Sequence, residues 1–309
     1  MPRIRFGPAG KPLSFKGPME KVPEYLSKIG LDALEYEAVR GVRISEEKAR
    51  KLGEEAAKYD VLLSMHAPYY INLASKEKEK AEASRRRLFE AVRASHWMNA
   101  YAVVFHPGYY KGWSSRSDAV KEVIRQLKLL EEDVDSHGYT GPWIAPETTG
   151  KDSQVGSVDD VIEICSNIER CRPAVDWAHL HARSQGRDIL SIDDVIRVID
   201  KIEKELGSYA VKPLHTHFSK IEYGKGGEKM HHTLKEEEYG PDWIVVCKAY
   251  IMTGIDGVII SESPILEEDA LYMIELCREV LEDGSFMAKA PSPKVTISPG
   301  KSAGRQGKR

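Results

Sequence analysis

Asp176 and His179 stand three residues apart in Ala-Val-Asp-Trp-Ala-His-Leu-His, residues 174–181, where an apolar run stops. A carboxylate supplies hard oxygen and an imidazole borderline nitrogen, a mixture that suits zinc, manganese or iron. A single such pair is ordinarily a buried aspartate satisfied by its neighbour. Here the same event recurs along the chain. His66 closes residues 61–65, His106 closes 102–105, Glu147 closes 143–146, His215 follows 211–214 and Glu262 follows 257–261. Six strand-like runs therefore each end in a residue able to hold a metal.

Residues 3–6, 33–37, 60–66 and 142–147 read as strands, and 257–261 as the eighth. Between them lie helical stretches. Ser45 caps one that runs toward Tyr59, residues 75–99 form a long one, and Asp118 opens one whose stripe is Val120, Val123, Ile124, Leu127 and Leu130. Ser157 and Ser191 each precede an aspartate by three residues, an acidic capping box, and residues 242–253 and 267–281 complete the pattern. Eight strands alternating with helices predict a single α/β domain over residues 1–285, a (β/α)8 TIM barrel. No Gly-x-Gly-x-x-Gly follows a strand, so a doubly wound dinucleotide fold loses its main support. In a barrel all strand C-termini open on one mouth, which would gather the six ligands from far apart in sequence.

The 309 residues, 41% hydrophobic and 30% charged, suit one large domain with ample core. No apolar run approaches the roughly 18 residues of a membrane span, and the N-terminus lacks the apolar core of a secretory signal, so a cytoplasmic protein is expected. The four cysteines include no Cys-x-x-Cys and read as buried thiols. A formal charge of −3 excludes a globally basic nucleic-acid binder, leaving room only for a local basic face. Residues 286–309 carry Pro, Ser, Gly, Lys and Arg without acidic residues, and read as a disordered basic tail.

Met-His-Ala-Pro-Tyr-Tyr-Ile-Asn-Leu-Ala-Ser at 65–75, Phe-His-Pro-Gly at 105–108, Glu-Thr-Thr-Gly-Lys-Asp-Ser at 147–153, Asp-Trp-Ala-His at 176–179 and Glu-Ser-Pro at 262–264 resemble the endonuclease IV family. These are apurinic/apyrimidinic endonucleases on a xylose-isomerase-like barrel that use three metal ions, usually zinc, and the resemblance runs in order from about Arg3 to Leu281. It implies that His66 and His106 bind one ion, and that Glu147, the central catalytic residue, bridges it to a second held also by Asp176, His215 and Glu262. His179 and His231 would bind a third. The family's remaining ligand to that ion is an aspartate, and here Lys229 takes its place, with Glu228 adjacent. Two tightly held Zn2+ ions, or Mn2+ in their place, and a weak or missing third are therefore expected, with Lys229 reaching phosphate instead.

By that resemblance the substrate is double-stranded DNA at an abasic site, cut 5′ to the lesion to leave a 3′-hydroxyl by a chain acting as a monomer without a membrane partner. Tyr69 and Tyr70 after the first ligand could fill the gap left by a flipped nucleotide. Arg40, Arg43 and Lys225 sit on loops of the same mouth as candidate phosphate contacts. Two other readings compete: a metal-dependent sugar isomerase or epimerase on the same barrel, and a damaged-DNA binder that does not cut.

Overall fold

The structure is a computed structural model that describes residues 3–283 and 296–297. Eight parallel strands line the barrel: β1 (Arg3–Pro8), β2 (Ala33–Glu37), β3 (Leu62–His66), β4 (Ala102–Phe105), β5 (Trp143–Pro146), β6 (Ala174–Asp176), β7 (Leu214–Phe218) and β8 (Gly257–Ser261). β2 to β5 form one ladder in order, and β6, β7, β8 and β1 another. Parallel bridges from Ala9 to Glu35 and from Glu147 to Ala174 join the two, so the sheet closes. The β1–β2 seam is tight: a Cβ on Gly7 would lie 1.8 Å from the Ala33 carbonyl oxygen, which restricts that position to glycine.

Helices α1 (Val22–Ile29), α2 (Glu46–Lys58), α3 (Lys78–Trp97), α4 (Arg116–Ser136), α5 (Val158–Cys165), α6 (Trp177–Arg183), α7 (Ile192–Leu206), α8 (Trp243–Thr253) and α9 (Glu267–Asp283) follow the strands. Ser45, Ser115, Ser157 and Ser191 each accept from a first-turn backbone N–H, and the last two complete reciprocal boxes with Asp160 and Asp194. The main core packs between helices and sheet, around Phe6, Leu34, Met65, Val103, Phe105, Trp177, Phe218 and Ile259. Inside the barrel, small clusters of Ala102, Val104, Ala145 and Ala174, and of Ala33, Val258 and Ile260, leave room above them for longer polar side chains.

Three features differ from expectation. After β7 the chain forms an antiparallel hairpin, Lys220–Gly224 with Gly227–His232, which β-alternation broken by glycines and charges concealed. Gly227 lies at φ 97°, and a Cβ there would meet the Gly150 carbonyl oxygen at 2.1 Å, so the hairpin leans against the loop after β5. The cysteines, expected as separate thiols, pair as Cys165–Cys171 and Cys247–Cys277. The second pair is 30 residues apart in sequence, and only the packing of α8 on α9 brings the two Cα atoms within 5.9 Å. The tail expected over 286–309 lies outside the described residues, except that Thr296–Ile297 run parallel to Arg3 and Ile4. Among the described residues no helix is long and apolar enough to cross a membrane.

Candidate metal centre

β7 reads Leu-His-Thr-His-Phe and is buried throughout, with His215 and His217 sharing the face turned into the barrel. Its register with β6 decides which of them reaches the mouth. His217 lies beside Asp176, whereas His215 lies beside Ala174, one tier deeper. The expected ligand His215 is accordingly not brought to Asp176 and Glu262. Its Nε2 stands 3.0 Å from Glu35 and its Nδ1 2.5 Å from the Tyr101 hydroxyl. His217 occupies the place instead, with Nδ1 3.0 Å from Glu147 and 3.3 Å from Glu262.

Glu147, fully buried just after β5, is the hub. Its Oε2 meets His66 Nε2 at 3.1 Å and His106 Nε2 at 2.8 Å. Its Oε1 meets His217 Nδ1 at 3.0 Å and His179 Nδ1 at 3.2 Å. The His66 ring is aimed by its Nδ1–H, which donates to the Ala67 carbonyl at 2.9 Å. Asp176 caps α6, its Oδ1 accepting from the His179 backbone N–H at 2.7 Å, while its buried Oδ2, 3.4 Å from His179 Nδ1, accepts no hydrogen bond among the described residues.

The third group forms on the hairpin. His179 Nε2 lies 3.2 Å from Glu228 Oε2, and His231 is oriented by Ser219 at 2.7 Å with its Nε2 3.9 Å from Glu262. The Gly150 N–H also donates to Glu228 at 3.1 Å. Glu228, three residues before His231, is thus the hairpin carboxylate that reaches His179. Lys229 points elsewhere: it is exposed and pairs with Glu222 at 2.8 Å, because alternate hairpin residues face opposite sides. It is brought neither to the metal-capable groups nor to the cavity beside them.

Six carboxylates (Glu35, Glu37, Glu147, Asp176, Glu228, Glu262) and six imidazoles share this space. Burial pushes the Glu147 carboxyl up, but the charges of His106 and His217 outweigh it and hold the group well below the usual carboxylate range. Burial raises Glu262 well above that range and lifts Glu37 to about 7. His66 is lowered by burial and raised more by its bond to Glu147 and the Glu37 charge, reaching about 10. So many acceptors, with an oxygen on Asp176 that accepts no hydrogen bond among the described residues, call for protons or cations. Ligand atoms of His66, Glu147, His217 and Glu262, of His106, Glu147 and His179, of Glu147, Asp176, His179 and Glu262, and of His179, His231 and Glu262 fall in groups within 4.8 Å. This donor set fits divalent metal ions.

A cavity of about 160 Å³ opens on the centre, lined by Glu37, Val39, His66, Tyr69, His106, His179, Glu228, His231 and Glu262 among others. Tyr69 is 58% exposed at its rim, edge-on to Tyr70, over which Arg87 lies at 4.8 Å. Arg40, Arg43, Lys111 and Lys225 are exposed, and no carboxylate pairs with them among the described residues. Other basic residues of the mouth are committed: Arg116 pairs with Asp152 at 2.7 Å, and Arg183 donates to the Thr149, Lys151 and Gln154 carbonyls. Tyr110 bonds Asp160 and Trp113 donates to the Ala74 carbonyl, so both serve loop packing. Glu35, Glu37 and His217 were missed from sequence. Their signal is period-two spacing, Glu-Tyr-Glu and His-Thr-His, which places a polar residue on the inward face of a buried strand.

A family model described as a xylose isomerase-like TIM barrel matches residues 23–280. An uncharacterized protein of Methanocaldococcus jannaschii is 35% identical over 281 residues, 89% of this chain and 97% of that protein. A probable endonuclease 4 of Halothermothrix orenii is 27% identical over 243 residues, 75% of this chain and 84% of that protein. Among solved structures, endonuclease IV from Thermus thermophilus aligns with a TM-score of 0.66 at 20% identity, covering 92% of this chain and all (100%) of that one. A D-tagatose 3-epimerase-like protein aligns equally, with a TM-score of 0.66 at 21% identity over 93% and 99% of the two chains. Sequence likeness to proteins named as endonucleases agrees with the resemblance carried by residues 65–75, and the likeness to both solved structures is one of fold. Closed by eight parallel strands and matched over nearly its whole described length, the chain belongs to the xylose isomerase-like TIM barrel family.

Proposed function

We propose that this protein is a metal-dependent phosphodiesterase that cuts double-stranded DNA 5′ to an abasic site, leaving a 3′-hydroxyl. The observation that carries this reading is the sharing of Glu147 by several overlapping His and carboxylate groups beneath a mouth with exposed aromatic and unpaired basic side chains. His66, His106 and Glu147 would hold one ion, Glu147, Asp176, His217 and Glu262 a second, and His179, His231 and Glu228 a third. Divalent ions there, zinc by resemblance, would acidify water and neutralise phosphate charge. The chain's own residues do the rest. Glu147 ties the ligand groups together, Ala67 and Ser219 aim His66 and His231, Tyr69 offers a face to a displaced nucleotide, and Arg40, Arg43 and Lys225 offer cations to flanking phosphates.

A sugar epimerase is supported by one observation. The Glu37 carboxylate lines the cavity without a hydrogen bond among the described residues, as a base acting on a small hydroxylated substrate would. Incubating the protein with a duplex carrying one abasic site, with and without chelator, separates the readings. Chelator-sensitive cleavage is the expected result. Retention without cleavage means a binder, and neither outcome means a small-molecule enzyme.

A further inference from the structure

Below the metal centre lies a buried string of polar groups gathered around one carboxylate. Ser64 Oγ donates to Glu35 Oε2 at 2.7 Å. Glu35 is fully buried, and as a carboxylate it accepts from the groups that face it. His215 Nε2 lies 3.0 Å from its Oε2 and His217 Nε2 2.8 Å from its Oε1, and an imidazole nitrogen that close to a carboxylate oxygen carries a proton. These two Nε2 atoms also stand 3.3 Å apart, farther than either stands from the carboxylate. With its proton on Nε2, a neutral His215 accepts at Nδ1 from the Tyr101 hydroxyl at 2.5 Å. His217 is left with Nδ1 as its free nitrogen, and Nδ1 is the atom facing Glu147 and Glu262.

We infer that Glu35 is the positioning residue of the metal centre, fixing the ring angle and Nε2–H form of His217 so that Nδ1 is the ligand atom. His215 and Tyr101 complete this support by filling the other oxygen of Glu35. A ligating imidazole commonly donates its second N–H to a carboxylate, which sets its tautomer and strengthens it as a ligand. One carboxylate facing two histidines of the same strand follows from β7 placing both on its inward face, where Glu35 of β2 reaches them across the barrel interior. The inference rests on the proposed metal centre and not on the substrate, so it stands or falls separately from DNA cleavage.

The test uses the full chain and Zn2+ as probe. In Glu35→Gln an amide N–H2 would face a histidine N–H, and affinity measured by competition with a chromogenic chelator should fall about 10- to 100-fold. Long-range 1H–15N spectra of the zinc-loaded unaltered protein should show His217 coordinated through Nδ1 and protonated at Nε2. His215→Gln should retain the full metal complement. Unchanged affinity in a folded Glu35→Gln, or coordination through Nε2 of His217, would overturn the inference. So would loss of one metal equivalent in His215→Gln, which would make Glu35, His215 and His217 ligands themselves. If Glu35→Gln does not fold, the spectra of the unaltered protein and the His215 variant still decide.

Discussion

Replacing Glu147 with glutamine tests the hub directly. The carboxylate's two oxygens meet four histidine nitrogens at 2.8, 3.0, 3.1 and 3.2 Å, two on each oxygen. An amide keeps one oxygen and turns an N–H2 toward the other pair. Either His66 and His106 or His217 then lose their carboxylate acceptor, whichever way the amide lies, while His179 keeps its Nδ1 hydrogen bond to the Thr148 carbonyl at 2.9 Å. With ions bound, the amide likewise takes one anionic oxygen away from them, and removing one partner from a buried charged pair costs about 3–5 kcal/mol. At about 1.36 kcal/mol per factor of ten, that is roughly 10²- to 10⁴-fold in metal affinity. Metal per chain, measured by elemental analysis after dialysis, should fall by at least one equivalent, and single-turnover cleavage of an abasic duplex should be lost. Circular dichroism establishes whether the variant is folded. A folded Glu147→Gln with unchanged metal content and near-normal cleavage would refute the shared-carboxylate centre.

Glu228→Gln should weaken one metal site and slow cleavage while Lys229→Ala changes neither, since Glu228 reaches His179 and Lys229 is bound to Glu222. Metal titration of both variants checks this, and a larger effect from Lys229→Ala would contradict the hairpin geometry. Exchanging Arg43 or Lys225 for alanine should flatten the salt dependence of duplex binding by about one unit of slope for each phosphate that the side chain neutralises. An unchanged slope for both makes them bystanders. His66 carries a proton in the metal-free chain until about pH 10, so binding an ion at its Nε2 must release that proton. Apparent Zn2+ affinity should therefore rise about tenfold per pH unit for each proton displaced, between pH 6 and 8. Calorimetry in buffers of different ionisation enthalpy reads the release directly, and a pH-independent affinity would remove the His66 contact.

Much of this protein is legible in its sequence because the governing interactions are local. Serine caps, helical stripes and β-rich runs ending in His, Asp or Glu are set within a few residues of chain, and they suffice to predict the barrel, its mouth and the candidates His66, His106, Glu147, Asp176, His179 and Glu262, with His231 added by the resemblance. Motif spacing carries the resemblance to endonuclease IV for the same reason. What it could not decide depends on distance through space. Whether His215 or His217 reaches the centre is a matter of register: β7 slides against β6 so that His217, not His215, shares a tier with Asp176. Whether Lys229 or Glu228 meets His179 depends on a hairpin whose two faces alternate and whose glycines let it lean on the loop after β5. The Cys247–Cys277 pair and the Glu35 clamp likewise join residues remote in sequence. Sequence alone determined that His, Asp and Glu side chains gather at the mouth, because strand ends are local features. Only the tertiary structure decided which atoms face one another, because a shift of two residues along a strand keeps a side chain on the same face while moving it by roughly 7 Å.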